Sequence, residues 1–179
     1  MERCRPIKYK PDWTNINIRE LLKLYVKPNR LSPEDLRASN PWANEEDLEK
    51  WIDERKDHEA KYRQARFHPD KVPCPELAKM NKVLGYGKAD SINILFVPKD
   101  TPIAEHRDIV RKVGINFVME QAAPIVVQDK SFNYDRFVLD TSVRHMVPAA
   151  PVDRVTLQVA FWKHDFDEVC TWLEKDGWL

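Results

Sequence analysis

The spacing of apolar residues changes near residue 90, and this change constrains the fold more than any other feature of the sequence. Before residue 90, charged stretches with helical periods are separated by prolines. After it, continuous or alternating apolar runs predict strands. The clearest is DRVTLQVAFW, in which Val155, Leu157 and Val159 alternate with polar or small residues. We therefore expect different architectures on the two sides of this point.

The change divides the chain into three predicted parts. They are an extended arm with short helices over residues 1–43, a charged helical segment over 44–89, and a core domain over 90–179. The core domain has the order strand, helix, strands, helix, which predicts an α+β or α/β fold. We expect a helical, proline-rich extension followed by a small sheet packed with helices. A thioredoxin-like arrangement of the second half is one version of this fold.

Several segments carry helical patterns, beginning with NIRELLKLYV and the short LSPEDLRAS. The longest runs over residues 44–67 and is polar on most sides, which is typical of a helix that is solvated or held by a partner. CPELAKMNKVLGYG and TPIAEHRDIVRKVG are predicted to be shorter helices. In DFDEVCTWLEKDGWL, Asp165 and Glu168 form a capping-box pattern at the start of a final helix.

The charge and cysteine content exclude several classes of protein. Basic and acidic residues both number 29, whereas nucleic-acid binders usually carry a basic excess, so we expect no nucleic-acid partner. Cys4, Cys74 and Cys170 lie far apart without a CxxC pair, which favours reduced thiols in a reducing intracellular compartment. No apolar run approaches the roughly 20 residues of a membrane helix, so we expect no membrane span. The segment Gly85–Gly87 lacks the further glycine of nucleotide loops, and no cofactor is predicted.

The stretch RFHPDKVP resembles the signature loop of J-domain co-chaperones. In that family a basic helix ends in an aromatic residue, followed by His-Pro-Asp, and Phe67, His68, Pro69 and Asp70 match this pattern. The resemblance implies that the loop contacts an Hsp70-type chaperone at the tip of a helical hairpin. The alternative is physical: Pro69 cannot continue a helix, so the motif simply ends one. We favour the helix stop and keep the co-chaperone as the alternative function.

The histidines suggest no metal site by their spacing. The five are scattered along the chain. His106 lies close to Glu105 and Asp108, which could form a metal cluster, but the solvated face of a helix is the favoured interpretation. His164 is followed by acidic residues that helix capping already explains. We therefore predict no catalytic residue and no metal ligand.

The tryptophans indicate a protein interface. Large aromatic residues on elements with few apolar neighbours are typical interface anchors, and four tryptophans are of this kind: Trp13, Trp42, Trp51 and Trp178. Together with the His68–Asp70 loop they are the predicted partner-binding residues. We predict a non-catalytic accessory subunit of a larger intracellular assembly, with other subunits as partners. A mitochondrial respiratory-chain or ATP-synthase complex fits the neutral charge better than a ribosome, whose proteins are usually basic.

Overall fold

The computed structural model describes residues 2–12, 16–25, 27–28, 34, 37, 44–46, 49, 63–120 and 124–179. The described chain forms two antiparallel β-sheets, one of seven strands and one of four, with few helices. The predicted α+β or α/β fold with a helical extension is therefore wrong. The strands are β1 (Cys4–Pro6), β2 (Lys27–Pro28), β3 (Arg63–Phe67), β4 (Ser91–Val97), β5 (Ile103–His106), β6 (Val113–Glu120), β7 (Ile125–Val127), β8 (Lys130–Phe132), β9 (Arg136–Asp140), β10 (His145–Val147) and β11 (Arg154–Phe161).

The eight strands from β4 to β11 have the connectivity of a jelly roll. In the large sheet the order is β1-β9-β6-β11-β4-β3-β2, and in the small sheet it is β5-β10-β7-β8. The chain passes from one sheet to the other between β4 and β5, β5 and β6, β6 and β7, β8 and β9, β9 and β10, and β10 and β11. Double-sheet jelly rolls are built from such Greek-key crossings.

Helices cover the outer face of the large sheet. They are α1 (Ile18–Tyr25), α2 (Pro75–Leu84) and α3 (Phe166–Lys175). Leu77 of α2 and Leu173 of α3 are fully buried in the same apolar cluster as Leu157 and Val159 of β11. Because side chains alternate across a strand, the intervening residues of β11 face the small sheet. Every residue of β11 is buried, so this strand lies at the centre of the fold.

The space between the two sheets has a mixed lining. At one side, Phe137 and Leu139 of the large sheet pack with Ile125 and Val147 of the small sheet in a second apolar cluster. Elsewhere the inner face of the large sheet is polar, and its buried polar residues are Ser91, Asn93, Asn116, Arg154, Thr156 and Gln158. A buried polar surface on this scale is unusual for a structural core, and it directs attention to this face.

Two predicted helices are strands or loops. Residues 103–106 of TPIAEHRDIVRKVG form β5, which pairs with β10. The end of the predicted helix over 44–67 forms β3, which pairs with β4 and buries Ala65 and Phe67. As a strand, this segment pairs its backbone with β4 and places the alternate side chains of Ala65 and Phe67 in the core. Most of residues 44–62 lie outside the described part of the chain.

Other elements match the sequence. The strand β11 and the helices α2 and α3 are confirmed. The division at residues 43 and 89 stays a prediction, and β1 and β3 belong to the same sheet as β4. Within the described residues, no helix is both long and apolar enough to cross a membrane.

Candidate metal centre

Two histidines and an aspartate converge at one end of the small sheet. His106 is the last residue of β5 and His145 the first residue of β10, and the two are directly paired across these strands. Asp108 follows β5 by two residues, in the loop that leads to β6. Strand pairing therefore brings together side chains that lie far apart in the sequence.

The three side chains are close enough to share one metal ion. One ligand atom from each of His106, Asp108 and His145 lies within 4.8 Å of the others. The two imidazole rings have their centroids 4.4 Å apart, and Nε2 of His106 is 3.8 Å from Oδ1 of Asp108. His145 is almost fully buried, while 23% of the His106 side chain and 18% of the Asp108 side chain are exposed. The group is thus open on one side.

Backbone carbonyls fix the tautomer of both imidazoles. Nδ1 of His106 lies 2.7 Å from the carbonyl oxygen of Ala104, and Nδ1 of His145 lies 2.8 Å from that of Val143. A carbonyl oxygen can only accept, so both Nδ1 atoms carry the proton and Nε2 keeps its lone pair. Metal-binding histidines are held in this way by their outer-shell partners.

Thr141 anchors the loop that carries Asp108. The backbone N–H of Asp108 donates to the carbonyl oxygen of Thr141 at 2.8 Å, and the Thr141 hydroxyl donates to the carbonyl oxygen of Arg111 at 2.8 Å. The N–H of Thr141 in turn donates to the carbonyl oxygen of Lys112. Because Thr141 is fully buried, these bonds fix the position of the carboxylate before any ligand is bound.

The electrostatic environment keeps the imidazole neutral and the carboxylate charged. Burial, together with the neighbouring His106, lowers the pKa of His145 to about 4. Burial alone would raise the pKa of Asp108, but the Arg111 guanidinium and the two imidazoles outweigh this effect and lower the pKa. Neutral imidazole and ionised carboxylate are the forms that bind metal ions.

The donor set suits a first-row divalent metal. Two imidazole nitrogens and one carboxylate form the facial triad of non-haem iron(II) oxygenases, in which the remaining positions stay open. The free Nε2 atoms, the ionised carboxylate and the exposed side of the group meet this requirement. The residues present therefore fit a mononuclear iron(II) ion.

A second polar group, the Arg154 guanidinium, lies between the sheets, and no carboxylate is among the residues that line its pocket. Arg154 opens β11 and is 5% exposed, and within the described residues its Nη1 has no hydrogen-bond partner. Burial lowers its pKa to about 10, so the guanidinium stays charged at neutral pH. Arg154 lines a pocket together with Val97, Thr101 and Val147. Val147 lies two residues beyond His145 on β10, a separation of roughly 7 Å along a strand.

The predicted partner-binding residues lie elsewhere. His68 and Asp70 are exposed, and Pro69 is buried at the start of a short 3₁₀ turn, Pro69–Lys71. Trp178 packs against Tyr9 with ring centroids 4.9 Å apart. The other three, Trp13, Trp42 and Trp51, lie outside the described residues. None of these placements tests partner binding, which stays a prediction.

The sequence contained one signal for the centre that a helical interpretation hides. On a helix, residues i and i+2 point in different directions, whereas on an extended chain they share a face. The His106-Arg107-Asp108 spacing is therefore a chelating pattern only in extended structure. His145 carries no local signal, because only the pairing of β5 with β10 brings it to the site.

Comparisons with known proteins give distant structural likenesses. No protein-family model and no curated protein matches the chain. The fold is similar to a 2OG-Fe(II) oxygenase family protein from Burkholderia pseudomallei, with 14% identity, a TM-score of 0.44, and coverage of 78% of this chain and 94% of that one. It is similar to a Pseudomonas putida prolyl-4-hydroxylase, with 13% identity, a TM-score of 0.44, and coverage of 81% and 96%. It is also similar to an RmlC-like cupin from Ralstonia eutropha, with 13% identity, a TM-score of 0.36, and coverage of 59% of both chains.

The side chains brought together at the site correct the function predicted from the sequence. The chain was expected to be a non-catalytic structural subunit of a respiratory-chain or ATP-synthase complex, and not an enzyme. The convergence of His106, Asp108 and His145 is a site suited to catalysis, so this prediction is wrong. The J-domain alternative is wrong as well, because residues 63–67 form a strand of the large sheet and not the end of a helix. The mitochondrial location and the protein partners stay predictions.

Proposed function

We propose that the chain is a mononuclear non-haem iron(II) oxygenase, with His106, Asp108 and His145 as the metal ligands. One observation carries the proposal. Both imidazoles donate Nδ1–H to backbone carbonyls and so present Nε2 beside the Asp108 carboxylate, within 4.8 Å. Two imidazoles and one carboxylate with open positions are the ligand set of this class of enzyme.

The protein side of the reaction follows from the contacts of these residues. Bound iron(II) would supply the redox chemistry with O₂ that amino-acid side chains lack. His145 and the loop held by Thr141 fix the ligand atoms, which avoids reorganisation when a metal or substrate binds. The partly exposed sides of His106 and Asp108 leave a path for a substrate.

Arg154 supports a carboxylate-bearing co-substrate. A buried guanidinium without a counter-charge is unfavourable unless an anion pairs with it, and arginine binds carboxylates through two parallel hydrogen bonds. The pocket that Arg154 shares with Val147 lies two residues along β10 from His145. We propose that a dicarboxylic 2-oxo acid, such as 2-oxoglutarate, binds with its remote carboxylate on Arg154 and its 2-oxo acid end towards the three ligands.

A 2-oxoglutarate turnover assay tests the proposed function. The protein is loaded with iron(II) without oxygen and then given O₂, 2-oxoglutarate and ascorbate as reductant, and succinate is measured. We expect succinate from the natural protein and none from His145→Ala, with His164→Ala as a histidine control outside the site. Equal succinate from His145→Ala, or none from iron-saturated natural protein, would contradict the proposal.

A further inference from the structure

Arg111 places two nitrogens against the same oxygen of the Asp108 carboxylate. Its Nε lies 2.6 Å and its Nη2 2.5 Å from Oδ2. The other oxygen, Oδ1, is the one that faces Nε2 of His106 at 3.8 Å. A charge-assisted hydrogen bond from Nε, together with the close ion-pair contact of Nη2, makes a strong interaction with this oxygen. The two oxygens of the carboxylate therefore have different partners. Oδ2 contacts the Arg111 guanidinium, and Oδ1 faces the His106 imidazole.

A chain of buried amides holds the far end of the guanidinium. Nη1 of Arg111 donates to Oε1 of Gln158, on the inner face of β11. Gln158 is fixed in turn, because its Oε1 accepts from Asn93 at 3.0 Å and its Nε2 donates to Asn116 at 2.7 Å. Asn116 then donates to the carbonyl oxygen of Gly114 at 2.9 Å. The direction in which Arg111 points is thus set by three neighbouring strands.

Gly114 leaves the room that this arrangement needs. A Cβ added at Gly114 would lie 2.7 Å from Nε2 of Gln158 and 3.2 Å from Nδ2 of Asn116. Contacts under 3.0 Å would force the Gln158 amide to shift. The absence of a side chain at Gly114 therefore leaves space for the amides of Gln158 and Asn116, which support Arg111.

We propose that Arg111 is a positioning residue that restricts Asp108 to one metal-binding oxygen. The inference rests on the proposed metal centre and deepens it. A carboxylate can bind a metal through one oxygen or through both, and a second bound oxygen would fill a position that O₂ or a co-substrate needs. By occupying Oδ2, Arg111 keeps that position open.

Counting the water molecules on bound manganese(II) tests this role directly. A six-coordinate ion with three protein ligands keeps three waters, and a second oxygen from Asp108 would displace one of them. The enhancement of water-proton relaxation by manganese(II)-loaded protein reports the number of exchangeable waters. In Arg111→Met we expect the inner-sphere relaxation to fall by about a third, since one of three open octahedral positions is lost.

Matched variants separate this effect from loss of charge or of folding. Arg111→Lys keeps the charge and a donor for Oδ2, so its relaxation should equal that of the natural protein. Arg144→Met removes a nearby arginine that pairs with Asp129 and Glu105 instead, and it should also change nothing. If Arg111→Met does not fold by circular dichroism, Gln158→Met takes its place, because it frees the far end of Arg111 and should lower the relaxation in the same direction.

The outcomes distinguish this inference from the proposed function. Natural protein that binds no manganese(II) would contradict the metal centre itself. Natural protein and folded Arg111→Met with the same number of waters would leave the metal centre standing and overturn the role of Arg111. A fall in relaxation that appears equally in Arg144→Met would overturn it as well.

Discussion

His106 and His145 face each other across the paired strands β5 and β10, with their ring centroids 4.4 Å apart. Each ring donates Nδ1–H to the carbonyl oxygen two residues earlier in its own chain segment. Two imidazoles in a core would normally be separated or would find other polar partners. Here their unprotonated Nε2 atoms lie next to a carboxylate, which is the arrangement that a metal ion stabilises.

Removal of His145 should abolish metal binding while the protein stays folded. His145 supplies one of three protein ligands, so His145→Ala should weaken manganese(II) binding by more than the roughly 10–100-fold typical of outer-shell changes. Calorimetric titration measures the affinity, and circular dichroism checks the fold. His164→Ala is the matched control, because His164 pairs with Glu168 on the outer side of the fold. If folded His145→Ala binds manganese(II) as tightly as the natural protein does, His145 is not a metal ligand.

Replacement of Arg154 should separate co-substrate binding from stability. Arg154→Met removes a buried cation whose Nη1 has no partner among the described residues, so we expect an unchanged or higher melting temperature, since buried charge opposes folding. Binding of 2-oxoglutarate to the metal-loaded protein should weaken by at least about tenfold, which corresponds to loss of one charged pair. Calorimetry measures both. Tight 2-oxoglutarate binding by Arg154→Met would show that the carboxylate is held elsewhere.

The N-terminal segment should contribute to the stability of its own domain. Ile7 is 3% exposed, and its N–H donates to the carbonyl oxygen of Arg136, the first residue of β9. Ile7→Ala should lower the free energy of unfolding by about 2–4 kcal/mol, the range for a buried aliphatic residue. Lys10→Ala, at an exposed position of the same segment, should stay within about 0.5 kcal/mol. Equal urea midpoints for the two variants would mean that the segment packs on something other than this domain.

The start of α3 should depend on its capping aspartate. The side chain of Asp165 accepts a hydrogen bond from the N–H of Glu168 at 2.9 Å, as the sequence predicted. Asp165→Ala should lower the free energy of unfolding by about 1 kcal/mol, whereas Asp165→Ser should preserve most of the cap. Thermal unfolding of the three proteins measures the difference. If Asp165→Ser loses as much free energy of unfolding as Asp165→Ala, the negative charge of Asp165 stabilises the helix and its capping hydrogen bond does not.

The sequence predicted the elements whose pattern is long and regular. The alternation of Val155, Leu157 and Val159 identified β11, and Asp165 marked the start of α3. The sequence pattern did not predict the short strand β5. Ile103 and Val110 have a spacing compatible with a helix, but four residues of that segment form β5, which pairs with β10. A partner strand cannot be seen in a local sequence pattern.

The same limit explains the error about function. Ala65 and Phe67 alternate as on a strand, yet the charged residues before them favoured a helix that would have carried the His68–Asp70 loop. The metal centre requires β5 and β10 to be neighbours, and this follows from the jelly-roll topology and not from the residues around His145. A search for histidine clusters along the chain therefore misses it, whereas the paired strands reveal it.

An anomalous diffraction map of manganese(II)-loaded crystals tests the central claim most directly. The claim is that His106, Asp108 and His145 bind one metal ion. We predict a single strong peak within bonding distance of Nε2 of both histidines and of Oδ1 of Asp108, with the remaining positions open to solvent. A peak held by other residues, or no peak at this end of β5 and β10 in crystals of protein saturated with manganese(II), would contradict the claim.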